Sequence, residues 1–486
     1  MSDLAFLSAT ELASLIGTRK LSSEELLRHY LERVDRYNPE INAIVVDLRE
    51  AALKRAREAD AALARGELWG PLHGIPMTVK ESYKVIGTPT THGRPEWKDE
   101  IATEDARSIT RLNQAGAVIF GKTNVPIGLA DFQSYNDVYG TTNNPYNLER
   151  TPGGSSGGSA AALAAGLTAL ETGSDIGGSI RNPAHFCGVF GHKPTWNLLW
   201  MRGHSAPQDI RASSDISVIG PLARSASDLD TAVRTMAGPD DIMARGYRLN
   251  LPEPSSQGLK GLRVAVWDDD SHCPVSAEVR ARVDTVAELL SSEGAVIDRS
   301  ARPDFSSEHS HEVYENLLHA TMSARKPDEE YESLKRYVDT LDPDDQSQAA
   351  KVFRAQLSSF KEWRLNNELR EHLRWKWHDY FQQHDVLLTP IMPTAAFPHD
   401  HRPFGDRTIM VDNREMPYAN QTFWAGLTGV AFLPSTVIPT GLNAEGLPIG
   451  LQIVGPEYSD LITIGVAHEL ELRGCRFQPP EAYSGA

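Results

Sequence analysis

Along the first seventy residues apolar positions recur every three or four residues. Leu26, Tyr30 and Val34 form one such row, and Ala52, Ala56, Ala59 and Ala62 another, the spacing of one face of an α-helix. Ser8 with Glu11, and Ser22 with Glu25, stand at the capping-box separation, where a hydroxyl and a carboxylate reciprocally satisfy the free N–H groups of a helix start. The pattern predicts a helical wrap over residues 1–70 around a core that later segments supply. At Leu72-His-Gly-Ile-Pro-Met-Thr-Val-Lys80-Glu the period shortens to two, with Met77 and Val79 on one face and Thr78 and Lys80 on the other. A helical row at Ser108, Ile109 and Leu112 precedes the strand-like Ala117-Val-Ile-Phe-Gly121. Strand, helix, strand in succession marks an α/β fold.

The same alternation returns downstream. Ile219 to Ser225 leads into a helix starting near Ser227, and Gly238 to Lys260, rich in Pro, Asp and Ser, reads as a surface connection. Leu262 to Trp267, a helix through Val279 to Leu290, and Ala295 to Ile297 make another strand, helix, strand unit. It lacks the GxGxxG of a dinucleotide site. Phe305 to Phe381 is mainly helical by pattern, and Trp363, Leu369, Leu373, Trp377 and Phe381 read as core packing ahead of ligand lining. Val386 to Pro390 and Ile449 to Val454 read as buried strands of the same sheet.

Composition narrows the partner. With 486 residues the chain can bury a large core, and its net charge of -17 opposes attraction to nucleic acid phosphates or anionic membrane. Cys187, Cys273 and Cys475 lie far apart with no CxxC, which is neither a disulfide framework nor a zinc pattern. The N-terminus lacks a signal-peptide pattern and no run reaches the length of a membrane span, so the expectation is a cytoplasmic protein.

Candidate chemistry gathers between Thr151 and Ala184, where two Gly/Ser loops, Gly153 to Ser159 and Gly173 to Ser179, flank the Ala-rich segment Ala160 to Leu170. Glycine lets bare backbone N–H groups approach a bound atom, which puts Ser155, Ser156, Ser159, Ser174 and Ser179 where chemistry could happen. The first loop has no Gly-Lys-Ser/Thr ending, which disfavours a phosphate-binding module. Serine hydrolysis needs a base and oxyanion donors. Gly177-Gly178-Ser179 could supply a hydroxyl and donors, but not the base. There is no Gly-x-Ser-x-Gly elbow, and neither His185 nor His192 has a spacing that identifies a triad. A lysine could serve if burial kept it neutral, against a cost of roughly 4 to 5 kcal/mol for an ordinary lysine near pH 7.

Together, Gly153-Gly-Ser-Ser-Gly-Gly-Ser159, Gly173-Ser-Asp-Ile-Gly-Gly-Ser-Ile-Arg-Asn-Pro183, Gly74-Ile-Pro-Met-Thr-Val-Lys80 and Leu447-Pro-Ile-Gly-Leu-Gln-Ile453 closely resemble the amidase signature family. The resemblance runs from about residue 8 to about residue 475 and is weakest between roughly 300 and 385. It implies an α/β fold in which a large mixed β-sheet core is surrounded by helices. Residues 71–486 would then form the catalytic domain, with a variable helical insertion at about 300–385, continuous with the N-terminal wrap. It further implies Ser179 as nucleophile, Ser155 as a bridging serine after a cis peptide bond, and neutral Lys80 as base. The N–H groups of Ile176, Gly177, Gly178 and Ser179 would hold the oxyanion, with Asp175 and Arg181 bracing the loop. No metal or cofactor is implied.

Three departures bear on the substrate. Glu171 stands where many members have a small residue, and could meet Arg181 or face the surface. Bulky Trp196-Asn-Leu-Leu-Trp200-Met201 replaces a Gly-containing turn, so Trp196, Trp200 and Met201 could wall a pocket or simply pack. Asn124-Val-Pro-Ile-Gly128 lacks an acidic residue common after the family's Gly-Lys-Thr-Asn. The expectation is a small neutral, apolar or aryl amide, ester or carbamate as substrate. The alternative is the glutaminase subunit of a tRNA-dependent amidotransferase, whose partner subunits would carry the tRNA. A homodimer is left open.

Overall fold

In the computed structural model, which describes residues 4–204 and 210–484, both capping boxes form. Ser8 and Ser22 therefore start α1 (Ala9–Gly17) and α2 (Ser23–Ile41). Between α2 and α3 (Arg49–Ala64) the chain inserts β1 (Ile44–Asp47), a strand that the helical reading of residues 1–70 did not contain. Four residues are too few to show a period. The strand exists because of its partner: β2 (Pro76–Lys80), α4 (Arg107–Gln114) and β3 (Val118–Thr123) follow, and β1 pairs antiparallel and β2 parallel with β3.

Beyond this three-stranded sheet comes the hairpin of β4 (Tyr135–Asn136) and β5 (Gly140–Thr141), then α5 (Gly157–Ala164), β6 (Glu171–Asp175) and α6 (Arg181–Phe186). Next are β7 (Phe190–Lys193), β8 (Val218–Ala223), α7 (Ala226–Met236), β9 (Arg263–Val266), α8 (Ala277–Ser292) and β10 (Val296–Asp298). Four helices, α9 (Ser307–Ser323), α10 (Asp328–Val338), α11 (Gln348–Ala355) and α12 (Phe360–Phe381), occupy the stretch expected to be a helical insertion. The chain closes with β11 (Val386–Thr389), the hairpin of β12 (Thr408–Val411) and β13 (Arg414–Pro417), then α13 (Thr422–Gly429), β14 (Ser435–Leu442), β15 (Pro448–Val454) and α14 (Asp460–Glu471).

Eight strands form one mixed sheet in the order β10-β9-β11-β15-β14-β7-β8-β6, with helices around it. The β10, β9 and β11 strands run parallel, and the neighbours from β11 onward are antiparallel. The fold is thus the expected α/β architecture, with β2 and β3 held in their own small sheet. Leu373, Trp377 and Phe381 pack into the core, whereas Leu369 lies largely exposed. Among the described residues no helix is long and apolar enough to cross a membrane.

Candidate active site

Lys80 ends β2 at the seam between the small sheet and β6 of the large one. No ladder joins the two sheets there. Side chains do: the backbone N–H of Thr78 donates to Thr168 Oγ1 at 2.9 Å and that of Lys80 to Thr172 Oγ1 at 3.3 Å. The lysine is therefore sealed between two sheets, fully buried. Its Nζ lies 2.7 Å from Ser155 Oγ, 2.9 Å from Ser156 Oγ and 2.9 Å from Ser174 Oγ. Burial holds its pKa far below the ordinary lysine value, against the pull of Asp175, Glu81 and Glu171. Among the described residues no carboxylate pairs with Nζ. Three hydroxyls suit an uncharged amine, whose two N–H groups and one lone pair account for three contacts.

Ser155 and Ser179 sit on loops that are clamped together. The Ser156 N–H donates to the Ser179 carbonyl at 3.1 Å, while Asn182 accepts the Gly154 N–H at 3.0 Å and donates to the Gly154 carbonyl. The Gly154–Ser155 peptide bond is cis. Gly154 has no room for a side chain, since a Cβ there would stand 2.4 Å from the Asp131 carbonyl oxygen. Gly178 has φ +105°, a left-handed conformation that suits glycine.

The second Gly/Ser loop turns around Asp175. Its carboxylate accepts the N–H groups of Gly178 (2.9 Å), Ile180 (3.1 Å) and Arg181 (3.3 Å) and pairs with the Arg181 guanidinium at 2.9 Å, both side chains being fully buried. Burial pushes the Asp175 pKa up, but Arg181 and the N–H donors outweigh it and hold it at about 2. Arg181 extends the brace to Thr428 (3.2 Å), Gln452 (3.0 Å) and the Ala425 carbonyl (3.1 Å). The Gly178 N–H, expected among the oxyanion donors, is committed to Asp175. Those of Ile176, Gly177 and Ser179 have no such partner among the described residues.

Two of the departures can be placed. Glu171 neither meets Arg181 nor reaches the surface: it is buried, accepting from the Thr78 hydroxyl and from the Thr172 N–H at 3.0 Å. Burial raises its pKa to about 8. Trp196 stacks on Phe432 with ring centres 4.8 Å apart and donates to the Ser214 carbonyl at 3.0 Å. Met201 joins Leu198 and Leu199 in the core and Trp200 is half-buried. His185 is bonded to the Gly450 and Thr394 carbonyls, and His192 to Thr436 and Asp460. Ser159 ties α5 to Thr123 and to the Thr172 carbonyl.

Sequence reasoning gave no role to Asn182, which lies unmarked inside the second Gly/Ser motif, nor to Tyr314. The Tyr314 hydroxyl, on α9, donates to the Ile176 carbonyl at 3.2 Å and lies against Gly177. Nothing local in α9 signals this, because the contact spans 138 positions.

The family model described as Amidase matches residues 25–463. A glutamyl-tRNA(Gln) amidotransferase subunit from Carboxydothermus hydrogenoformans is 31% identical, covering 96% of this chain and 97% of its own. Fatty-acid amide hydrolase 2-B of Danio rerio is also 31% identical, covering 96% of this chain and 89% of its own. A solved bacterial aryl acylamidase of the amidase signature family shares the fold, with a TM-score of 0.82 at 22% identity and 99% of each chain covered. With a family match over most of its length, and with β6 of the second Gly/Ser stretch at the edge of the expected mixed sheet, this chain belongs to the amidase signature family.

Proposed function

We propose that the chain hydrolyses carboxamides through an acyl-enzyme on Ser179. The observation that carries this reading is the buried Lys80 amine, in contact with three hydroxyls, one of them Ser155, and with no carboxylate among the described residues. Neutral Lys80 takes the Ser155 proton as Ser155 takes that of Ser179, and Ser179 Oγ bonds to the substrate carbonyl carbon. The oxyanion is met by the N–H groups of Ile176, Gly177 and Ser179. As the C–N bond breaks, Ser155 protonates the departing nitrogen and is reprotonated by Lys80. Water then attacks the acyl carbon, its proton passes back along the relay, and Ser179 leaves as the hydroxyl with the acid released. In Ser179→Ala, turnover should fall by at least about 10³-fold with the unfolding midpoint unchanged, and a serine-directed fluorophosphonate should label the wild-type chain at Ser179. Undiminished turnover in the variant would remove the nucleophile assignment.

A second reading, a glutaminase subunit working with partner proteins, is favoured by the amidotransferase subunits among the relatives. Ammonia release from glutamine, measured for the chain alone and with candidate partner subunits, separates the two. Glutamine turnover that appears only with partners supports the subunit reading.

A further inference from the structure

Asn182, the second residue of α6, is bonded to the residue just before Ser155 and to the residue just before Ser179. Its backbone N–H donates to the Gly178 carbonyl at 2.7 Å. Its side-chain amide takes both polar groups of Gly154: Oδ1 accepts the Gly154 N–H at 3.0 Å and Nδ2 donates to the Gly154 carbonyl. Among the described residues nothing else bonds to either group. Gly154 also abuts backbone, since a Cβ there would stand 2.4 Å from the Asp131 carbonyl oxygen and 2.8 Å from the Gln133 nitrogen. The amide that grips it has a fixed base. Asn182 is fully buried, and its neighbour Arg181 is locked to Asp175, Thr428 and Gln452.

The Ser155 side chain has no such fixture of its own. Among the described residues its Oγ meets Lys80 Nζ alone, at 2.7 Å, and Lys80 divides its amine among Ser155, Ser156 and Ser174. An amine shared three ways does not select the place of one hydroxyl. The place of Ser155 is therefore inherited from the Gly154 peptide groups, and through them from Asn182. That place is used twice in amide cleavage. Ser155 takes the proton of Ser179 as the new C–O bond forms, and gives a proton to the nitrogen as the C–N bond breaks. An amine has to be protonated to leave, whereas a nitrophenolate leaves as the anion. Proton transfer works only within hydrogen-bond reach, about 2.6–3.2 Å between heavy atoms, so a displaced Ser155 harms amide cleavage more than ester cleavage.

We propose that Asn182 is the positioning residue that holds Ser155 where it can pass a proton to the leaving nitrogen, and that it thereby sets how well the site cleaves amides relative to esters. One amide group, tied to the residues ahead of both serines, fixes the register of the first Gly/Ser loop on the second. The inference rests on the hydrolase reading and deepens it, because it names the side chain that equips the relay for a nitrogen leaving group.

The test compares 4-nitroacetanilide with 4-nitrophenyl acetate, which deliver the same acetyl group to Ser179 and differ in the departing atom. Asn182→Ala removes both bonds to Gly154. Asn182→Asp keeps the size and the acceptor but, ionised at about pH 8, turns a second acceptor on the Gly154 carbonyl. In both variants kcat/KM for the anilide should fall at least about tenfold further than kcat/KM for the ester. Fluorophosphonate labelling of Ser179, which expels fluoride and needs no protonated nitrogen, should fall in step with the ester. Parallel losses in anilide, ester and labelling, or no loss on the anilide, overturn the proposal and leave Asn182 a structural residue. If Asn182→Ala does not fold, Asn182→Asp carries the comparison alone. A wild type that cleaves the ester and not the anilide also overturns the proposal. A wild type that is neither labelled nor active on either substrate overturns the hydrolase reading, and this inference with it.

Discussion

Burial sets the protonation of two side chains in opposite directions at the β2–β6 seam. Lys80 is driven towards the neutral amine and Glu171 towards the neutral acid, because water is excluded from both and neither has a counter-ion in contact among the described residues. The Glu171 pKa of about 8 makes a stability statement. Its folded value lies above the ordinary 4.5, so its contribution is fully present below about 4.5 and is lost as pH rises through 8. Glu171→Gln cannot titrate. Denaturant unfolding between pH 5 and 8 should therefore show the wild type losing stability relative to the variant, by up to about 1.4 kcal/mol per pH unit. Parallel pH dependences for the two proteins would mean that Glu171 is ionised in the fold. The residue was visible in the sequence as an oddity. Its surroundings were not, since Thr78 lies 93 positions away.

At the scale of elements, the β6–α6 turn is shaped by its own sequence, while its setting comes from elsewhere. Asp175 takes three N–H groups of residues just after it, a local arrangement that the motif itself encodes. The Tyr314 hydroxyl reaches the same turn from α9. Tyr314→Phe deletes that donor and leaves the ring packed on Gly426. It should lower kcat by about threefold to tenfold with KM little changed, at a stability loss of about 1 kcal/mol. An unchanged kcat would make Tyr314 a packing residue only. The capping boxes of α1 and α2 were legible for the reason that Asp175 was, as donor and acceptor lie three residues apart. The β1 strand was not legible, because its bonds go to the distant β3, as in the pairing of Ile44 with Thr123.

Across the whole molecule, the second Gly/Ser loop is anchored to the C-terminal part of the chain through Arg181, which reaches Thr428 just inside α13 and Gln452 in β15. Arg181→Met leaves Asp175 buried without its cation. Removing one partner of a buried pair costs about 3–5 kcal/mol, and that loss should appear in the denaturation midpoint with the cooperativity retained. A loss below about 1 kcal/mol would show that the three N–H donors suffice for Asp175.

The two Gly/Ser loops, the helix starts and the alternation of strands and helices belong to the sequence alone, because each rests on residues within a few positions of one another. Which serines meet Lys80, and which N–H groups of the second Gly/Ser loop lack a partner among the described residues, were decided only by tertiary structure. Those properties depend on the exclusion of water and on contacts between segments seventy to several hundred residues apart, which no local pattern contains.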